Sequence, residues 1–352
     1  MDWLEGVDTE ALLQAIEQQL QAEFPAFSLR DLWDQLLQGT PQLEPAALLQ
    51  QLLQSIGVWS AGQLTLLGQL MLLAIAFALL RQLESSFADS SVQKVTALVI
   101  QAVAVLLILH SGQQVLQYGT QAVSRMTAVM EALLPVQLLL MAGLGNIKTA
   151  GLLQPSMLFV VQATAFFCSR FLLPLITMEF LLKLVNSFSD TYRLTGLAAF
   201  LRKVILSSIS FSIMLFLAVL SMEGISGQAM DRMARRTVKY ITGAAVPVVG
   251  GMLSGLMGTL VSGGLLIRNA LGFAGLLVIL LLTVVPALKI LVLYMLYSFA
   301  AALLQPLGDS QMIALLEQAA GSFMLIFAVV ALTGVLFFFM ILIVLAASGT
   351  VL

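Results

Sequence analysis

From residue 58 onward the chain consists of long stretches without a charged side chain, separated by short polar interruptions. No acidic or basic residue occurs between Glu44 and Arg81, which sets a first apolar segment at 61–80. Lys94 and Arg125 enclose a second near 95–117. Met126–Asn146 contains a single charge, Glu131, and 149–178 a single one, Arg170. Val204–Met222, Tyr240–Ile267, Asn269–Ala287, Ile290–Gln305 and Gln318–Leu352 contain none. A helix needs about 20 consecutive apolar residues to cross a bilayer. The pattern therefore predicts an all-α, polytopic transmembrane helical bundle of about eight spans. The piece at 290–305 is too short to cross alone and reads as a half-helix or re-entrant segment.

Residues 1–57 follow an amphipathic period instead. Thr9 can cap a first helix with an apolar stripe of Leu12, Leu13, Ile16, Leu20 and Phe24. Ser28 and Asp31 form a capping-box-like start for a second, carrying Leu29, Leu32, Trp33, Leu36 and Leu37 and stopping at Gly39. Pro45 suits the first turn of a third, with Leu48, Leu49, Leu52 and Leu53. Helices this short need tertiary support in water. The segment is expected to be a small extramembrane helical cap, with a partner-docking surface as the second reading.

Composition turns the span count into a statement about solvent. Of the 352 residues 60% are hydrophobic and 10% charged, against about 25% charged in a soluble domain. So few charges cannot cover a surface in water, so the outer surface must be lipid. Net charge is −2, unevenly spread: residues 1–57 hold nine acidic residues and one basic residue, Arg30, whereas 58–352 hold nine acidic and fifteen basic. No basic run resembles a nucleic-acid patch. The single cysteine, Cys168, excludes a disulfide framework, and the single histidine, His110, excludes a His-rich metal site. His110 reads as an interfacial residue near the end of a span. The first 20 residues lack the basic start and apolar core of a signal peptide. The chain is expected either to start inside or to have lost a leader.

The membrane body carries a candidate internal repeat, 126–222 against 238–337. Ala132–Val136 matches Ala244–Val248, Gly151 matches Gly263 and Pro174 matches Pro286 at an offset of 112; Ser187-Phe188 matches Ser298-Phe299 at 111. Halves of three spans each would sit inverted, as in many transporters. The expected organisation is an acidic head at 1–57, a first helix pair at 58–125, one half at 126–222, a basic linker at 223–237 and a second half at 238–352. The basic cluster Arg232, Arg235, Arg236 and Lys239 favours the cytoplasm. With eight spans this places the acidic head outside, and Lys183, Arg193, Arg202 and Lys203 with it.

Polar groups inside a membrane are costly and need a reason. Glu131, Arg170, Glu179, Lys183, Arg268 and Lys289 lie in or near apolar stretches. Glu131 and Arg170 are candidates to pair across the bundle or line a pore; the competing reading is that they snorkel to the headgroups. Lys183 and Arg268 are expected to be interfacial. In Tyr240–Ile267, Gly250, Ser254, Gly258 and Ser262 recur every four residues, and Gly251 with Gly255 makes a GxxxG. Such faces serve close helix packing, and Pro247 with Gly250-Gly251 is the alternative hinge. No HExxH, Walker-type loop or dinucleotide fingerprint is present. Gly224-Ile225-Ser226-Gly227 is superficially like a rhomboid serine motif, but the only histidine lies upstream. No catalytic, cofactor or metal residue is assigned, and the chain is not expected to be an enzyme.

Several segments resemble a known family. TVKYITGAAVPVVGG at Thr237–Gly251, SGGLLIRNALGFAG at Ser262–Gly275 and VPALKILVLYMLYSFAAALLQPLG at Val285–Gly308 are similar to stage III sporulation protein AE of endospore-forming bacteria. So are Gly227–Arg236, DTYRLTGLAAFLRK at Asp190–Lys203 and SVQKV at Ser91–Val95. The resemblance covers most of 60–352, and its specificity lies in the order and length of segments. It implies a multipass protein of the mother-cell-derived membrane around the forespore. Its implied partners are a partner ATPase, ring-forming membrane proteins and a forespore-side membrane protein. The implied role is in a channel complex that supports late forespore gene expression. Family members generally carry a cleaved leader, and this chain shows none. Two other readings stand beside it, a stand-alone secondary transporter with an inverted repeat and a structural assembly scaffold. The expected partners are the lipid bilayer, the other channel subunits and further copies as a possible homo-oligomer, with no nucleic acid.

Overall fold

The structure is a computed structural model that describes residues 9–21, 28–37, 59–72, 90–143, 147–187, 194–222, 266–307 and 310–347, with scattered positions between 50 and 76. Among the described residues every regular element is helical. The head contributes α1 (Thr9–Gln21) and α2 (Leu29–Leu37). Residues 59–72 are helical. The body comprises α3 (Ser90–Gly143), α4 (Ile147–Phe166), α5 (Leu173–Asn186), α6 (Thr195–Met222), α7 (Leu266–Leu304) and α8 (Ser310–Ala347). A π-helical turn at Phe167–Leu172 joins α4 to α5 into one rod. Pro174, at the start of α5, has no N–H to offer the preceding turn. A widened turn accommodates its ring without ending the helix.

Among the described residues five helices are long and apolar enough to cross a membrane: Leu98–Ala142, Gln154–Asn186, Thr195–Ala218, Ala270–Leu304 and Gln311–Leu345. Two boundaries in the eight-span reading are thereby corrected. The segments 95–117 and 126–146 form a single helix, α3, through the polar stretch between them. That stretch, Tyr118–Arg125, is not made of strong helix formers; packing holds it helical, with Ala122 and Val123 buried in the bundle and Gly119 against Ile326. The segments 269–287 and 290–305 likewise form one helix, α7. Lys289 lies 5.5 Å from the Tyr118 ring centroid, so its charge has a neighbour and does not end the helix. The expected half-helix at 290–305 is therefore the second part of a full-length rod.

Cross-contacts fix the packing. Going up α7, Gly275 faces Leu133, Thr283 Oγ1 lies 3.1 Å from Met126 Sδ, and Tyr297 bonds Ser111, so α7 runs antiparallel to α3. Thr283 and Gly334, and Tyr297 and Phe323, pair α7 with α8 as an antiparallel hairpin. Glu131 meets Gln162, and Gly112 meets Phe180, so the α4–α5 rod is antiparallel to α3 as well. α6 turns back along α5. The core of this bundle is aliphatic and aromatic, with Met126, Met130, Leu134, Phe323 and Phe337 fully buried. Close approach decides two glycines: a Cβ at Gly334 would run into Thr283, and one at Gly112 into the Phe180 ring.

The head is not detached from this body. Leu13, Ile16 and Leu20 of α1 and Leu29, Leu32 and Trp33 of α2 are buried in the same apolar cluster as the rods. α1 lies against α3, and α2 against α7. The expected third head helix lies outside the described residues. So does the 223–265 segment, with Arg232, Arg235, Arg236, Lys239, Pro247, Gly250, Gly251, Gly255 and Gly258. The repeat is not carried by the positions that are described. Pro174 follows a π turn, whereas Pro286 sits inside an uninterrupted α7; Ser187 follows the end of α5, whereas Ser298 is in mid-helix.

Candidate functional site

Two polar arrangements stand out in this apolar body, one inside it and one on its surface. The inner one is centred on Glu179, which is fully buried on α5. Lys183, one turn later on the same helix, forms an ion pair with Oε1. Arg202 Nη1 reaches the same oxygen from α6 at 3.7 Å. Ser322 of α8 donates to Oε2 at 2.6 Å, and Lys183 Nζ donates to the Ser322 hydroxyl at 3.4 Å. The Arg202 guanidinium lies over Gly321, where no side chain blocks it. One carboxylate thus collects two cations and a hydroxyl from three helices. A buried charge is tolerable only when paired in this way.

Uncharged pairs extend the inner set. Tyr297 donates its hydroxyl to Ser111 at 2.7 Å, deep between α7 and α3. The Tyr297 ring meets Phe323 edge-on, 5.2 Å between centroids. Thr333 lies 3.3 Å from the buried Cys168 sulfur in the π turn. Where α5 ends, Gln101 of α3 and Gln311 of α8 both donate to the Ser187 carbonyl, at 2.5 and 3.2 Å. That carbonyl belongs to the helix end, whose acceptors have no partner within the helix.

The outer arrangement runs along α3. His110, Gln113, Gln117, Gln121, Ser124 and Glu131 are all exposed and recur at spacings of three, four or seven, which places them on one helix face. Above this stretch the outward positions are apolar, Val99, Val103 and Leu106; below it lies Leu139. Gln114 and His110 share a hydrogen bond of 3.2 Å. Glu131 accepts a hydrogen bond from Gln162 of α4.

These placements correct several expectations. Glu131 pairs with Gln162 and not with Arg170. Arg170 is exposed in the π turn between Phe166 and Phe171, without an ion pair among the described residues. Lys183 does not snorkel; it turns inward to Glu179. The Arg268 side chain is outside the described residues. His110 lies in the interior of α3, not near a span end. The Glu179–Lys183 spacing of four was legible as a helical ion pair. Arg202 and Ser322 carried no sequence signal, because only the tertiary fold brings α6 and α8 to Glu179. Among the described residues no cluster of His, Cys, Asp or Glu could hold a metal ion.

The comparisons with known proteins agree on one family. The model for stage III sporulation protein AE matches residues 27–348. A stage III sporulation protein AE from Bacillus subtilis (strain 168) is 33% identical over 284 residues, 81% of this chain and 71% of the relative. No solved structure matches.

Proposed function

We propose, from the premise that this chain belongs to the stage III sporulation protein AE family, that it is a multipass membrane subunit of the channel complex joining mother cell and forespore. The observation that carries this reading is the family match across residues 27–348, on a chain whose described residues include five helices of membrane-crossing length. In this role it sits in the mother-cell-derived membrane around the forespore. It works there with a partner ATPase and ring-forming membrane proteins, and it supports late forespore gene expression. The absence of any recognised catalytic motif in the sequence is consistent with a subunit that moves or gates rather than reacts.

The test is complementation in a spore-forming host whose own family member has been deleted. Expression of this chain is expected to restore a late forespore reporter and heat-resistant spores. A fluorescent fusion is expected to ring the engulfed forespore. Stable expression in the membrane with no rescue, and uniform labelling of the mother-cell periphery, would set this reading aside. A solute-uptake phenotype in place of a developmental one would favour a stand-alone transporter.

A further inference from the structure

The polar face of α3 lies at the height where the rest of the body is most apolar. Three contacts establish the height. Gly112 meets Phe180, Glu131 bonds Gln162, and Glu179 meets Arg202. Residues 110–131 of α3 are therefore level with 162–180 of the α4–α5 rod. α6 runs back along that rod from the level of Arg202. The large outward side chains there are mostly apolar, Phe166, Phe171, Met178 and Leu181 on the rod and Leu206, Phe211, Met214 and Leu215 on α6, with Gln162 and Arg170 on the rod and the small Ser207 and Ser210 on α6 as the polar exceptions. α6 is the shortest crossing helix, 28 residues. Its charge-free part, Val204–Met222, has about the 20 residues that a hydrocarbon core requires. Its position marks the lipid. The polar face spans about 30 Å at 1.5 Å per residue, roughly the hydrocarbon thickness. Height cannot explain its polarity; only its direction can.

We propose that copies of this chain associate around an axis normal to the membrane with their α3 polar faces turned inward, enclosing a water-filled lumen lined by His110, Gln113, Gln117, Gln121, Ser124 and Glu131. This deepens the channel reading and rests on it. One helix face cannot enclose water alone, so further walls are needed. Copies inserted in one orientation bring each residue level with its own equivalent. That suits this face unusually well. A glutamine amide both donates and accepts, so rings of Gln113, Gln117 and Gln121 satisfy one another or water with no group left over. A different, charged partner would call for charges here, and between residues 110 and 124 the face has no acidic or permanently charged group. Glu131, at one end, would form the only ring of like charge. Its hydrogen bond to Gln162 holds the carboxylate at the edge of the face next to α4. Rings of this kind are how channels select ions and solutes.

The test uses the full chain in native-like membranes. Cys168, buried and alone, is replaced in C168A to give a cysteine-free background. Single cysteines are then placed at Gln113, Gln117, Gln121 and Ser124 on α3, and at Phe211 and Met214 on α6. A membrane-impermeant methanethiosulfonate reagent reports water, because the hydrated thiolate is the reactive form. The expected result is labelling at least about tenfold faster on α3 than on α6, since thiolates do not form in hydrocarbon. A short bis-maleimide is expected to link Q117C and Q121C of two copies and to link neither α6 variant. Equal labelling on both helices overturns the lumen. Fast labelling without copy-to-copy links overturns the association, as does a link from α3 to another segment of the same chain or to a different protein. Four α3 positions guard against one variant that misfolds. No sporulating cell is needed, so failure here leaves the family role standing, and failed complementation leaves this result standing.

Discussion

The outer faces of α3 and α6 lie at one height in the same body and are made for different surroundings. α6 presents Leu206, Phe211, Met214 and Leu215, and the Ser210 hydroxyl turns back to the Leu206 carbonyl at 3.0 Å. α3 presents amides, a hydroxyl, an imidazole and a carboxylate. In a soluble protein both would face water and the difference would mean little. In a bilayer an unpaired amide costs free energy that a phenyl ring does not. The contrast therefore assigns each face a medium, lipid for α6 and something wetter for α3. Arg170 is the exception on the apolar side, exposed between Phe166 and Phe171.

The comparison can be broken most severely from inside. Glu179 ties α5 to α6 and α8, and so holds the two faces in place. In E179L, Lys183 loses its partner in the bundle interior. Loss of one partner of a buried pair costs about 3–5 kcal/mol. A large drop in detergent thermal stability is expected, while K183M/E179L recovers part of it; equal stability of E179L and wild type would remove the network from the account. Next comes the lipid face. M214E should cost about 2.5–3.5 kcal/mol of insertion free energy, whereas Q117E on α3 should cost much less. Membrane-integrated yield of the two variants measures the difference, and equal loss would erase the distinction between the faces. Packing behind the faces comes third. G334V drives a side chain into Thr283, and overpacking of this kind costs about 1–3 kcal/mol, read as a lower midpoint of thermal unfolding with the oligomer unchanged. The smallest effect belongs to Y297F, which removes the bond to Ser111. Interhelical hydrogen bonds in membranes average about 0.6 kcal/mol, so a shift near the limit of detection is expected, and a loss as large as that of E179L would mean the pair does more than pack.

The helical class and the presence of helices long and apolar enough to cross a membrane were legible in the sequence because charge-free stretches of 20 or more residues have few other uses. The head stripes were legible for the same kind of reason: Leu13, Ile16 and Leu20 lie on one face by spacing alone, and they are buried. The helix boundaries were not. The run from His110 to Arg125 reads as a loop if polarity is taken to mark the membrane edge. Backbone hydrogen bonds are indifferent to whether a glutamine faces lipid or water, so the helix continues. Gly112 and Gly119 would weaken an isolated helix there, but each receives a neighbouring side chain, Phe180 and Ile326. Pro135 and Pro286 lie within helices that run on, inside the apolar segments that the sequence marks out. The polar face of α3 was present in the spacing of its glutamines, yet its meaning required the height of α6, which only packing supplies.

The continuity of α3 also changes the parity of the chain. A single helix crosses a bilayer once, so the two spans read at 95–117 and 126–146 collapse to one crossing. Everything between α3 and α7 then changes side relative to the head, including the end of α6 at Met222. The merger within α7 removes no crossing, because 290–305 was read as a half-helix and not as a span, so α8 keeps the changed side. Under the eight-span count, a cytoplasmic end for α6 sent the acidic head to the opposite side. With one crossing fewer, and with 61–80 counted as a span as the sequence reads it, the same placement brings head and α6 terminus to the same side of the membrane.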